Sequence, residues 1–97
     1  MAIQMTYVKG KEKGNIRLYA LSTCIWCMRT KRLLDALGVA YEYVDVDLLA
    51  DDNREQAMQE IERFNPSGSF PTMIINDDIC IVGYKEDKIK GALGNGR

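Results

Sequence analysis

Ile16, Leu18 and Ala20 alternate with Arg17, Tyr19 and Leu21. A period of two is strand periodicity, so regular structure is expected to begin at Ile16. Further on the period lengthens. Cys27, Thr30, Leu34 and Leu37 follow at steps of three, four and three, with Leu33 beside them, while Arg29 and Arg32 fall on the other side. That spacing predicts a helix from about Cys24 to Leu37 with one core-directed face. Gly38 stands where a helix closes on a left-handed residue, and Lys31 and Asp35 have the i,i+4 spacing of an ion pair. Tyr41 to Val46, rich in β-branched and aromatic residues, reads as the next strand.

Asp52 and Glu55 have capping-box spacing, with Asp in place of the usual Ser or Thr. They would open a second helix running to about Phe64, with Ala57, Met58, Ile61 and Phe64 inward. A turn-rich loop from Asn65 to Ser69 leads to Phe70-Pro71. Thr72 to Ile75 and Ile79 to Val82 then read as a hairpin across Asn76-Asp77-Asp78. Glu86 to Leu93 would form a short last helix, with Ile89 and Leu93 inward. The predicted order is β-α-β-α-β-β-α, an α/β domain over residues 15–93. The first β-α-β unit implies parallel strands with a right-handed crossover, and the hairpin adds an antiparallel pair. A four-stranded mixed sheet flanked by three helices follows. Residues 1–14 read as a flexible N-terminal extension, with a short strand near Met5 to Val8, and residues 94–97 as a tail.

The chain has 97 residues, 46% of them apolar, enough for one domain with a modest core. Its 13 basic and 14 acidic residues leave a net charge of −1. That balance argues against a nucleic-acid footprint or a polybasic membrane patch. No apolar run is long enough for a membrane span or a signal peptide, which makes the cytoplasm the expected location. Histidine is absent, and with it the commonest general base and metal ligand. Three cysteines is an odd count, unsuited to a disulfide-stapled scaffold.

Two of those cysteines lie in Ser22-Thr23-Cys24-Ile25-Trp26-Cys27, between the first predicted strand and the first helix. Residues i and i+3 share a helix face, so the pair can come within disulfide range. Unpaired amide groups and the helix dipole at that end favour a negative sulfur. Cys27 is in register with the core positions, whereas Cys24 stands at the open end. Cys24 is therefore expected to attack and Cys27 to resolve the mixed disulfide. Incidental thiols at a helix start are the bland alternative. Structural zinc wants four Cys or His ligands, and only Cys80 remains beyond the pair, so no metal site is expected. A binding module holding a [2Fe–2S] cluster between subunits, through Cys24 of each and external thiols, stays open as a different class.

The stretches Leu18-Tyr19 through Cys27, Tyr41-Glu42-Tyr43-Val44-Asp45-Val46, Phe70-Pro71-Thr72 and Gly83-Tyr84 together resemble the glutaredoxin family, over about residues 15 to 93. The resemblance implies the thioredoxin fold and a thiol-disulfide oxidoreductase acting on protein or glutathione mixed disulfides. It implies that Pro71 is cis and faces the cysteines, and that the backbone of Phe70 pairs with the bound thiol substrate. From the residues alone, X-Pro before a strand suits a fixed turn. Leu21 stands where glutathione-using members often carry lysine, and Val82-Gly83-Tyr84-Lys85-Glu86-Asp87 replaces their usual Gly-Gly and Cys-Asp-Asp ending. That ending looks more like the redoxins of ribonucleotide reductase, which thioredoxin reductase recharges. Glutathione or thioredoxin reductase is thus the implied electron donor, with glutathione a co-substrate rather than a bound cofactor and the chain a monomer. If glutathione binds, Thr23, Phe70, Gly83 and Tyr84 would line its groove, and Glu86 or Asp87 would meet its amino group.

Trp26, between the two cysteines, is expected to be exposed and to contact partners. Cys80, between Ile79 and Ile81, reads as a buried core thiol. The acidic second helix carrying Asp51, Asp52, Glu55, Glu60 and Glu62 reads as a solvated face.

Overall fold

The computed structural model describes residues 3–94. Its elements are β1 (Thr6–Val8), β2 (Ile16–Ala20), α1 (Ile25–Leu37), β3 (Tyr41–Asp45), α2 (Asp51–Phe64), β4 (Thr72–Ile75), β5 (Ile79–Val82) and α3 (Glu86–Ile89). A 3₁₀ turn, Val46–Leu48, follows β3, and a π-helical turn, Lys90–Gly94, follows α3. The strands form one sheet in the order β1-β3-β2-β4-β5. β2 and β3 are parallel, and the other pairs are antiparallel. This is the thioredoxin fold, with five strands in the sheet where four were expected.

β2 is buried on both faces apart from the partly buried Arg17, because both faces of the strand are covered. Ile16, Leu18 and Ala20 pack with Cys27, Leu33, Leu34, Ile89 and Leu93 on the side of α1 and α3. Tyr19 packs with Val44, Val46, Ala57, Ile61 and Ile74 on the side of α2. Burying a side chain such as Leu18 or Leu34 contributes about 1.5–3 kcal/mol, and these residues fix α1 against the end of β2. Gly38 closes α1 at φ 71°, its N–H reaching the carbonyls of Leu34 and Asp35. Asn76 and Asp77 take left-handed conformations at φ 55° and 54°, which suits these residue types in a tight hairpin turn.

Four expectations are corrected. β1 falls where a short strand was expected, near Met5 to Val8, but it joins the sheet as a fifth strand, pairing Thr6, Tyr7 and Val8 with Tyr43, Glu42 and Tyr41. Three residues with Tyr7 exposed give no sign of the sheet edge they pair with. Lys31 does not pair with Asp35. Its ammonium lies 3.1 Å from Asp45 and over the Tyr43 ring, while Asp35 accepts the Tyr41 hydroxyl at 3.0 Å. Partly buried partners on β3 have replaced the exposed neighbour on the same helix. The capping box is absent, because α2 starts two residues earlier, on an Ala50 cap that has no side-chain hydrogen bond. Asp51 and Asp52 then act on the dipole of the first turn. Finally, Cys80 is only partly buried, since β5 is an edge strand. Met1, Ala2 and residues 95–97 of the predicted extension and tail lie outside the described residues.

Candidate active site

At the end of β2 the chain must turn before α1 can begin. The Cys24 N–H closes that turn on the Leu21 carbonyl at 3.2 Å. Ser22 anchors it to the 3₁₀ turn: its backbone N–H donates to Asp47 at 2.8 Å, and its hydroxyl donates to the other carboxylate oxygen. These bonds hold the Asp47 carboxyl below its ordinary range. Cys24 is the N-cap of α1, with extended backbone, and its sulfur accepts the Cys27 N–H at 3.2 Å. The sulfur thus occupies the place of a capping oxygen, at the positive end of the helix.

The cysteines differ sharply. Cys24 is partly exposed, whereas Cys27 has no exposure at all. Burial pushes the Cys27 thiol up to about 12, and its hydrogen bond with Cys24 adds to this. A backbone hydrogen bond with Leu21 and, to a lesser extent, the Lys31 charge pull the other way. Burial also raises the Cys80 thiol above its ordinary value.

The Phe70–Pro71 bond is cis, as the resemblance implied. The Pro71 carbonyl accepts the N–H of Gly83, whose φ of 84° suits glycine. Trp26, Phe70, Pro71, Gly83 and Tyr84 line one groove of about 210 Å³. The Trp26 and Tyr84 rings stack with centroids 5.9 Å apart. Cys24, Phe70 and Tyr84 pack against the same core cluster. Thr23 is exposed beside Cys24 and does not line the groove. Glu86, one of the two acids expected to meet a glutathione amino group, is held by Lys90 at 2.9 Å.

The brace beneath the proline was not foreseen. Buried Asn65 donates to the Thr72 hydroxyl at 3.0 Å and to the Ser69 carbonyl at 3.3 Å, and the Thr72 hydroxyl donates to that same carbonyl at 2.7 Å. In sequence Asn65 looks like any turn residue after a helix, and no periodicity marks it. Among the described residues, no three His, Cys, Asp or Glu side chains converge as a metal-ligand set.

A Cys-x-x-Cys pair capping the first helix on this fold defines a redoxin of the thioredoxin-fold class. The chain belongs to the glutaredoxin family, whose model, Glutaredoxin, matches residues 16–80. It is 54% identical to the methanoredoxin of Methanosarcina acetivorans, with a TM-score of 0.86 over 88% of this chain and 90% of that one. The glutaredoxin of Methanosarcina mazei Go1 is 51% identical, with a TM-score of 0.88 over 93% and 87% of the two chains. A curated relative, glutathione S-transferase Z2 of Arabidopsis thaliana, is 30% identical over 89 residues, 87% of this chain. The chain spans 39% of that protein's length.

Proposed function

We propose that this protein reduces disulfides by dithiol exchange, with Cys24 attacking and Cys27 resolving. The observation that carries the reading is the asymmetry of the pair: Cys24 caps the helix at its open end, and Cys27 is sealed beneath it. The Cys24 thiolate attacks one sulfur of a substrate disulfide, forms a mixed disulfide and expels the other sulfur as a thiolate. Cys27 then gives up its proton, and its thiolate attacks the Cys24 sulfur and expels the second substrate thiolate. Two electrons have passed to the substrate, and the Cys24–Cys27 disulfide remains. A reductant returns the electrons.

In this reading Trp26, Phe70, Pro71, Gly83 and Tyr84 receive the substrate, and Thr23 flanks the entrance. The substrates are disulfide-bearing proteins and glutathione mixed disulfides, and the donor is glutathione or a thioredoxin reductase. The free cysteines suit a reducing compartment, and we place the activity, as a monomer, in the cytoplasm.

Trapping tests the reading. Cys27→Ser should accumulate a mixed disulfide with partners, which dithiothreitol releases, and Cys24→Ser should form none. Equal trapping by both variants would reverse the proposed polarity. Turnover with glutathione and glutathione reductase, set against thioredoxin reductase alone, identifies the donor. Only the thioredoxin reductase route should collapse in Cys27→Ser.

A further inference from the structure

Of the five described arginines, Arg17, Arg54 and Arg63 each have a carboxylate partner within the chain. Among the described residues, Arg29 and Arg32 form no ion pair, and both stand beside the substrate groove. With Leu33 and Tyr84 they line a second hollow of about 340 Å³. Tyr84 is the wall it shares with the groove. The Arg29 guanidinium lies over the Trp26 ring, 5.1 Å from its centroid, so the cation borders the aromatic pair. Uncompensated cations at the edge of a binding cleft raise the local concentration of anionic partners and steer them.

The surroundings indicate the size of the partner. Ile25, Trp26 and Met28 are 57%, 50% and 39% exposed on the first turn of α1. Together they make an exposed apolar collar on the turn that Cys24 caps. Such a collar rimmed by charge is the pattern of a protein-binding surface.

We propose that Arg29 and Arg32 form a docking rim for a polypeptide substrate whose disulfide is flanked by acidic side chains. The peptide backbone lies over Trp26 and Phe70, and its carboxylates reach past Tyr84 to the two guanidinium groups. The inference rests on the dithiol reading above, and adds which disulfides are favoured.

The test uses three synthetic peptides identical except for the residues flanking an internal disulfide: Asp-Asp, Asn-Asn or Lys-Lys. Attack by Cys24 is followed as adduct formation in the Cys27→Ser background. The Asp-Asp peptide should react about three- to ten-fold faster than the Asn-Asn peptide at low salt, as two exposed ion pairs allow. Added salt should erase the difference. Arg29→Gln with Arg32→Gln should bring the ratio close to one, and Arg29→Glu with Arg32→Glu should shift the preference to the Lys-Lys peptide. Arg54→Gln, on the far helix, should retain the wild-type ratio. A ratio near one in the unaltered protein, or one that survives the double Gln variant, overturns the rim. An equal dependence on the two arginines with oxidised glutathione assigns the anion site to a small thiol and overturns the polypeptide. No attack on any peptide overturns the dithiol reading, and the rim with it.

Discussion

The backbone N–H of Cys27 points at the sulfur of Cys24 and meets it at 3.2 Å. One residue's amide therefore solvates the other's sulfur, while its own sulfur is shut away from water. The reduced protein thus offers solvent one reactive sulfur of the pair. Iodoacetamide should modify Cys24 fastest, with Cys80 and Cys27 lagging. Peptide mapping of a time course checks this, and equal rates at all three cysteines would dissolve the assignment of roles.

Cys27 must ionise before it can resolve, and its thiol is pushed up to about 12 in the dithiol form. Release of a partner from the mixed disulfide should therefore accelerate with rising pH, by about ten-fold per unit well below the pKa of the resolving thiol. Lys31→Met removes the charge that favours the Cys27 thiolate and should displace that profile to higher pH. The first attack, measured in Cys27→Ser, should keep its own profile. Rapid-quench kinetics separate the two steps.

The same shift affects folding. The folded Cys27 thiol titrates above its ordinary value of 9.0. The stability this contributes is complete below pH about 9 and is lost as pH climbs toward about 12. Urea titrations of the reduced protein should show the midpoint falling through that window. Cys27→Ala should lack this part of the fall.

Asn65 holds the segment that delivers Phe70 and Pro71. Removing a buried donor that serves Thr72 and Ser69 should cost about 1–3 kcal/mol. Asn65→Ala should therefore melt earlier and trap disulfide partners more slowly, whereas Thr72→Ser, which keeps the hydroxyl, should retain both properties. Thermal denaturation and adduct formation report the two effects separately.

Trp26 is the chain's single tryptophan, so its fluorescence is unmixed. It sits between the two cysteines and stacks on Tyr84. Formation of the disulfide should change its intensity or wavelength, and Tyr84→Ala should alter the reduced-state signal. An identical spectrum in both redox states would mean that the indole does not sense the sulfurs.

What could be read in the sequence was local. The face of α1 follows from spacing within thirteen residues, and the β4–β5 hairpin from a turn between two short apolar runs. The roles proposed for Cys24 and Cys27 were readable for the same reason, since helix register alone separates an end from a buried face. What failed depended on distant neighbours. β1 joins the sheet because Tyr41–Tyr43 offer it a free edge, and Lys31 chooses Asp45 because a parallel crossover brings the end of β3 beside α1. Cys80 looked like core because its neighbours are isoleucines, and nothing in those residues says that β5 is the outermost strand. Asn65 and the two unpaired arginines belong to the same class. Their meaning lies in what stands opposite them.

The seclusion of Cys27 also bears on survival under peroxide. An oxidant entering from solvent reaches Cys24 and converts it to a sulfenic acid, while the thiol beneath is spared. Cys27 can then condense with that sulfenic acid, releasing water and forming the same disulfide as the proposed catalytic cycle. Damage that would otherwise climb to the irreversible sulfinic and sulfonic acids is turned into the state that the proposed donor reduces. A buried second sulfur is thereby a safeguard for the exposed one.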